Sequence, residues 1–435
     1  MKRRVLFVSP HFPPVNAPDH QRVRTMLPFL ADRGWSPEVL CVDAAAVEGA
    51  QDERLARALP TGLPIHRSGA IPLRLTRWLG CGQLGYRAYL HLRAAGDRLM
   101  RQQKFDLVFF STAIFEALNL GPRWRHQFGV PYLVDMHDPW VTDYYDRPGA
   151  AAPPGGRLKF ALSQGLARRC EPRVMRSAAH VLCVSPDYPA SLLKRHPSLS
   201  PDRFSVLPFG APTHDFATLK ELSARPAIWR DAPTRPRWLY LGRVVPGMSL
   251  PLAGLFRWLK GHTQNAARAS GPELWFVGTK YSARDLEPDF ATTLAVAEGV
   301  TQAVHEISQR VPYFDGLALL QTSTVNLIIG SDDPSYTASK IYPTLLAGRP
   351  VLALIHRASA AIDRLRECSN AVVIPFDSGD TPETIAVRLN AELGAPHQPR
   401  LPAELEVRAE CLEPFTDRGM TATLVKLMDR LVHGS

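Results

Sequence analysis

Two stretches of this sequence hold side chains whose types and spacing could do chemistry. The first is Asp135-Met136-His137-Asp138-Pro139-Trp140, directly after the apolar run Pro131–Val134. Two carboxylates beside a histidine favour its protonated form by Coulomb attraction. Such a group can donate to a hydroxyl or a carbonyl, or shuttle a proton. His137 and Asp138 are therefore the candidate catalytic residues. The same residues also suit a structural turn, with Asp138 capping the next segment and His137 filling space. The second stretch is split. Trp238–Leu241 runs into Gly242-Arg243, where glycine lets the backbone approach a phosphate and arginine offers a two-pronged fork to its oxygens. A surface arginine after a strand is also ordinary. Further on, Ser339, Lys340 and Tyr342 stand at the start of a short helix whose first turn would hold Pro343 and whose end would be Gly348. A helix N-terminus with a serine and a lysine beside it suits a diphosphate.

These residues need a frame. Short runs rich in Val, Leu, Ile and Phe recur along the whole chain, from Val5–Ser9 to Ala371–Phe376, separated by segments of helical character. There are 13 of them, which implies two parallel sheets covered on both faces, in an α/β chain of two Rossmann-like domains. The boundary falls between Gly210 and Arg237, a stretch punctuated by prolines. An amphipathic helix is expected over Asp417–Val432, with Met420, Leu424, Leu427, Met428 and Leu431 on one face. After the first strand comes a long proline-rich loop with no glycine, followed by His20, Arg22 and Arg24. A dinucleotide-binding protein would carry GxGxxG at this turn, so the loop argues against an NAD or FAD dehydrogenase. Its three basic residues either face the site or are simply solvated.

The 435 residues carry a formal charge of +10, which favours anionic company such as nucleotide phosphates or an acidic bilayer. Between 67 and 104, eight Arg and Lys face only Asp97, interleaved with Leu73, Leu75, Trp78, Leu79, Tyr86, Tyr89 and Leu90. That mixture suits contact with an anionic membrane surface, or else a solvated helix face over a normal core. A second basic run, Arg157 to Arg176, reads as a helix exterior. No nucleic-acid module accompanies either run. The six cysteines show no CxxC or zinc spacing and read as reduced residues of a cytosolic protein. No signal peptide or membrane-spanning stretch is expected.

The run VLFVSPHFPPVNAPDHQRVRTMLPFLADRGW resembles the N-terminus of glycosyltransferase family 4 and its GT-B relatives, and later segments match in order along nearly the whole chain. The Asp135–Trp140 turn is similar to the D-x-R-D-P-W and H-D turns that lie against the donor sugar. Gly242-Arg243 is similar to the family's G-R turn, although no lysine follows within Val244–Ser249. Lys340, Leu345, Ala347, Gly348 and Pro350 are in register with K-(L/I)-x-E-Y-L-A-x-G-x-P. The family's ribose-binding glutamate falls at Pro343 and its partner near Ser335, so ribose recognition would need other groups, such as Tyr342. The resemblance implies a GT-B fold: an acceptor-binding domain over 1–212, a nucleotide-sugar domain over 235–412, an interdomain cleft, and a helix over 413–435 packing back on the first domain. It implies sugar transfer from a nucleotide-sugar donor to a saccharide or lipid-linked acceptor, without a metal or other cofactor and with retention. A sugar-nucleotide epimerase and a non-catalytic scaffold subunit are the alternatives.

Overall fold

The structure, a computed structural model, describes residues 2–76, 82–143, 153, 156–223, 226, 228–229, 234–261, 271–280, 289–332 and 340–433. Within the first buried run, Val5 and Phe7 join one apolar cluster while Leu6 and Val8 join another. The same alternation holds for Val39/Leu40, Phe109/Phe110 and Leu133/Val134. Side chains of a strand point to opposite faces in turn, so continuous apolar runs are stable only where both faces are covered. That requirement produces a parallel sheet between two helical layers.

The strands are β1 (Arg3–Val8), β2 (Trp35–Val42), β3 (Ile65–Ser68), β4 (Leu107–Ser111), β5 (Tyr132–Met136), β6 (His180–Cys183) and β7 (Phe204–Val206). They pair in parallel in the order β3-β2-β1-β4-β5-β6-β7. A second parallel sheet contains β8 (Arg237–Leu241), β9 (Glu273–Val277), β10 (Val304–Ile307), β11 (Val325–Ile329), β12 (Val351–His356) and β13 (Val372–Phe376), in the order β10-β9-β8-β11-β12-β13. Each apolar run of the sequence becomes one of these strands. In each sheet the order reverses once, between β1 and β4 and between β8 and β11. In open α/β sheets, ligands bind outside the carboxyl ends of the strands at such a reversal.

Two compact units result, one formed by Met1–Phe209 with Asp417–Ser435, the other by Gly210–Thr416. The helix Asp417–His433 therefore belongs to the first unit. Its Met420, Leu424, Val425, Leu427 and Met428 complete the cluster that also holds Val5, Phe7, Trp35 and Val39. Asp429 pairs with Arg3 and accepts from the Trp35 indole at 3.0 Å. Pro28 shapes the entry to this region. The helix Gln21–Met26 stops just before it and the chain continues as a tighter turn, Leu27–Phe29. Proline lacks the N–H that an α-helix interior requires. Gly34 closes the segment at φ +81°, a left-handed conformation, and Trp35 opens β2.

Leu424 is 1% exposed, and truncating it leaves a void that the surrounding residues close only in part. The variant Leu424→Ala is expected to lose about 2–5 kcal/mol of first-unit stability. Urea unfolding followed by tryptophan fluorescence measures this; an unchanged midpoint would mean the helix is dispensable to that core.

Candidate active site

At the carboxyl ends of β1, β4 and β5 the first unit gathers a set of buried polar groups. Asp135, near the end of β5, is 1% exposed. Its Oδ2 accepts from Arg22 Nε at 2.6 Å and Ser111 Oγ at 2.8 Å, and lies 2.6 Å from His137 Nε2. Burial pushes this carboxyl up, but the Arg22 charge, then His137 and Ser111, outweigh it and hold the pKa at about 2. An ionised carboxylate can only accept, so His137 Nε2 carries a hydrogen. His137 is itself buried, with its ring edge-on to Phe209 at 5.1 Å. Its Nδ1, like Asp135 Oδ1, has no hydrogen-bond partner among the described residues. Buried polar atoms are paired in the great majority of native structures, so orphans beside the sheet's reversal point suit a ligand.

A second carboxylate ties the loops after β1 and β4 together. Asp19 accepts from His11 Nδ1 at 2.9 Å, Thr112 Oγ1 at 3.1 Å and the Ala113 N–H at 3.3 Å. Burial opposes its charge, yet the His11 hydrogen bond and the neighbouring histidines hold its pKa at about 2. Asp138 stands next to these groups with its side chain exposed. Crowding by its surroundings pushes its pKa up, His137 pulls it down, and the Asp19 charge adds to the rise. A cavity of about 470 Å³ opens on the same side of the sheet, lined by His11, Glu116, Trp140, Phe160 and Gln164 among others. The Phe115 and Trp140 rings stack at 5.7 Å on its wall.

Of the three basic residues that follow the first loop, only Arg22 reaches this site. It also donates to the carbonyls of Leu207 and Pro208. His20 is fully buried, and burial with the nearby Arg24 charge lowers its pKa to about 3, so it is neutral. It contacts the Val15 carbonyl at 2.7 Å, and Arg24 is buried beside Gln21. Neither is solvated, because loop and helix fold inward over them. In the 67–104 stretch, Arg87 is also internal, donating to the carbonyls of Ile71 and Ala46. Arg67 donates to the Pro13 carbonyl. Arg77, Trp78 and Leu79 lie outside the described residues.

The second unit carries its own set at the reversal between β8 and β11. Gly242 follows β8 at φ +126°. A Cβ there would lie 1.9 Å from Lys340 Nζ, so only glycine admits the ammonium against the backbone. Lys340 Nζ donates to the Tyr240 hydroxyl at 3.3 Å and sits 4.6 Å from the centre of that ring. Among the described residues no carboxylate pairs with it, and burial pulls its pKa down to about 8. Arg243 is exposed, and the loop after it is tied to β11 by the Asp332 N–H on the Gly247 carbonyl at 2.9 Å. Thr279 Oγ1, past β9, is buried with no partner among the described residues. Tyr342, expected near a ribose, is buried with its ring stacked on Phe415 at 5.2 Å. The helix it belongs to, Ile341–Leu346, has only six residues. Ser339 and Ser335 lie outside the described residues.

Asp19, Ser111, Thr112 and Tyr240 were not singled out from sequence. For Ser111, Thr112 and Tyr240 the signal is positional, each standing in or just past a strand that flanks a reversal of strand order; Asp19 lies at the end of the long loop after β1.

Residues 20–210 match the family described as glycosyl transferase 4-like domain. Solved structures align over the whole chain. HepE from Anabaena, in complex with UDP and glucose, is 13% identical with a TM-score of 0.59, covering 98% of this chain and 99% of that one. An α,α-trehalose-phosphate synthase (UDP-forming) from Burkholderia xenovorans, with glucose-6-phosphate, is 12% identical with a TM-score of 0.60, covering 98% and 100%. A UDP-GlcNAc 2-epimerase from Methanocaldococcus jannaschii is 9% identical with a TM-score of 0.54, covering 98% and 99%. At such identities these likenesses speak for the fold alone. No curated protein matches the chain. Two parallel sheets in two units, with polar sites at both reversal points, define a GT-B fold. Over residues 20–210, most of its first unit, the chain is similar to glycosyl transferase 4-like domains.

Asp135 has a folded pKa below its ordinary 3.8, so its contribution to stability is complete above that value and fades as pH falls toward about 2. Asp135→Asn leaves Arg22 buried without its counter-charge, an expected loss of about 3–5 kcal/mol at neutral pH. The gap from the parent protein should narrow between pH 3.8 and about 2. Calorimetric melting across that range measures both; a constant gap would show that the carboxylate is not charged in the folded state.

Proposed function

We propose that this protein moves a sugar from a nucleotide-sugar donor to a saccharide or lipid-linked acceptor, with retention, in polysaccharide or glycoconjugate biosynthesis. The observation that carries the donor assignment is the approach of Lys340 to Gly242. A half-buried ammonium without a described carboxylate partner, held against a glycine whose missing side chain makes room for it, is suited to phosphate oxygens. Arg243, exposed beside it and with no ion pair to a described carboxylate, supplies a second positive charge. Together they would counter the charge that grows on the departing diphosphate, a role that needs no metal. On the first unit, His137 Nδ1 is the unpaired group suited to a sugar oxygen, with Asp135 and Ser111 fixing the ring. Asp138, its pKa raised, is the exposed carboxyl beside it. The cavity walled by Phe115 and Trp140 offers aromatic faces for an acceptor sugar.

No described helix is long and apolar enough to cross a membrane. The proposed setting is cytoplasmic, with an anionic membrane surface as a partner for the exposed part of 67–104, namely Arg74, Leu75, Leu90, Arg98 and Arg101. Pro343, where the family has glutamate, leaves one specific reason to keep the non-catalytic scaffold as a second reading.

Thermal-shift titration with UDP and other nucleoside diphosphates tests donor binding, because a ligand that binds only the folded state raises its melting temperature. Removing one charged hydrogen-bond donor costs about 1.5–3 kcal/mol, so Lys340→Ala or Arg243→Ala should weaken the diphosphate roughly 10- to 150-fold. Lys340 is charged below its pKa of about 8, so diphosphate affinity of the parent protein should fall as pH rises through that value. No shift with any nucleotide would defeat the donor assignment. Binding without transfer or donor hydrolysis would favour the scaffold.

A further inference from the structure

The helix Arg157–Ser177 buries Gln164, Ala167, Glu171, Val174 and Met175 on one side. Its opposite side carries Leu158, Leu162 and Leu166, which are 78%, 66% and 47% exposed. At 3.6 residues per turn these three stand one above another along the helix. Arg169, Arg173 and Arg176, eleven, fifteen and eighteen residues after Leu158, continue the same face, and all three are exposed. Arg157, Lys159 and Arg168 flank it. Among the described residues, none of these six cations has a carboxylate within ion-pair distance; the helix's one acid, Glu171, is buried and engaged by Arg195 and His196. Single exposed leucines are common on any surface, but three in a row are a contiguous apolar strip.

We propose that this face docks on an anionic lipid bilayer, the leucines entering the boundary between headgroups and acyl chains and the arginines lying against phosphates. An apolar strip bordered by cations without carboxylate partners is complementary to such a surface, which offers hydrocarbon and negative charge side by side. A protein partner would need a carboxylate for each arginine as well as a groove for the leucines. The same helix turns Phe160, Ser163 and Gln164 into the 470 Å³ cavity. These cavity-facing residues lie on the side of the helix away from the leucines, so docking would leave about one helix width, roughly 10 Å, between lipid and cavity. This contact is separate from the one proposed for 67–104.

The test is co-sedimentation of the full chain with phosphatidylcholine vesicles, with and without phosphatidylglycerol, in the absence of any donor. The parent protein is expected to bind the phosphatidylglycerol vesicles, and less so as salt rises. Leu158→Asn, Leu162→Asn and Leu166→Asn together should reduce that binding by about tenfold per leucine. Arg169→Glu with Arg173→Glu reverses two charges rather than removing them, and should cost more than about fivefold per arginine and weaken the preference for anionic vesicles. All five positions are exposed, and unchanged circular dichroism melts confirm that the variants fold. Wild-type binding by the leucine variant would overturn the proposal. So would its loss only on Leu75→Asn with Leu90→Asn, or a self-associating parent whose dimer the leucine variant dissolves. Because no donor is present, none of these outcomes bears on the transfer reaction.

Discussion

One fully buried carboxylate constrains how the first unit can be assembled. A charge removed from water is tolerated only when partners surround it. Asp135 obtains them from Ser111 at the end of β4, from Arg22 in the helix after β1, and from His137 on its own strand's turn. Arg22 in turn directs its remaining donors to the carbonyls of Leu207 and Pro208, past β7. A single charge thus fixes the relative heights of four strand ends. It also dictates which nitrogen of His137 is occupied and which stays available.

The second unit solves the opposite problem. There the charge belongs to a half-buried cation, and no described carboxylate neutralises it. Lys340 leans on the Tyr240 ring and hydroxyl, partners that accept a positive charge without cancelling it. Its lowered pKa follows from that incomplete shelter. In the first unit the charge has partners, and Nδ1 of His137 is left open. In the second, charge itself is left open.

Much of the fold was legible in the sequence because its cause is local. The inner strands announce themselves as apolar runs because both sheet faces are buried there, while the edge strands β3, β7 and β10 are only partly covered. The helix Asp417–His433 shows its stripe of Met420, Leu424, Leu427 and Met428 for the same reason. The site was legible in location but not in membership. His137 and Lys340 stand beside recognisable turns. Asp19 and Ser111 are single polar residues in loops and strand ends, and nothing in their flanks distinguishes a partner of a buried charge from a solvated side chain. Arg22 and Arg24 show the limit plainly: two residues apart and alike in type, one holds Asp135 while the other lies against Gln21. Tyr342 misleads for a related reason, since an aromatic beside a candidate phosphate site fits the core equally well.

The return of the last helix to the first unit has a consequence for biosynthesis. Between Phe209 and Asp417 the ribosome must complete the whole second unit. At 5–20 residues per second that takes roughly 10–40 s. Throughout that interval the face of the first sheet formed by Val5, Phe7 and Val39 lacks Met420, Leu424 and Met428 to cover it. The N-terminal unit is thus made first and finished last, and its nascent form offers chaperones an apolar surface that the mature chain hides.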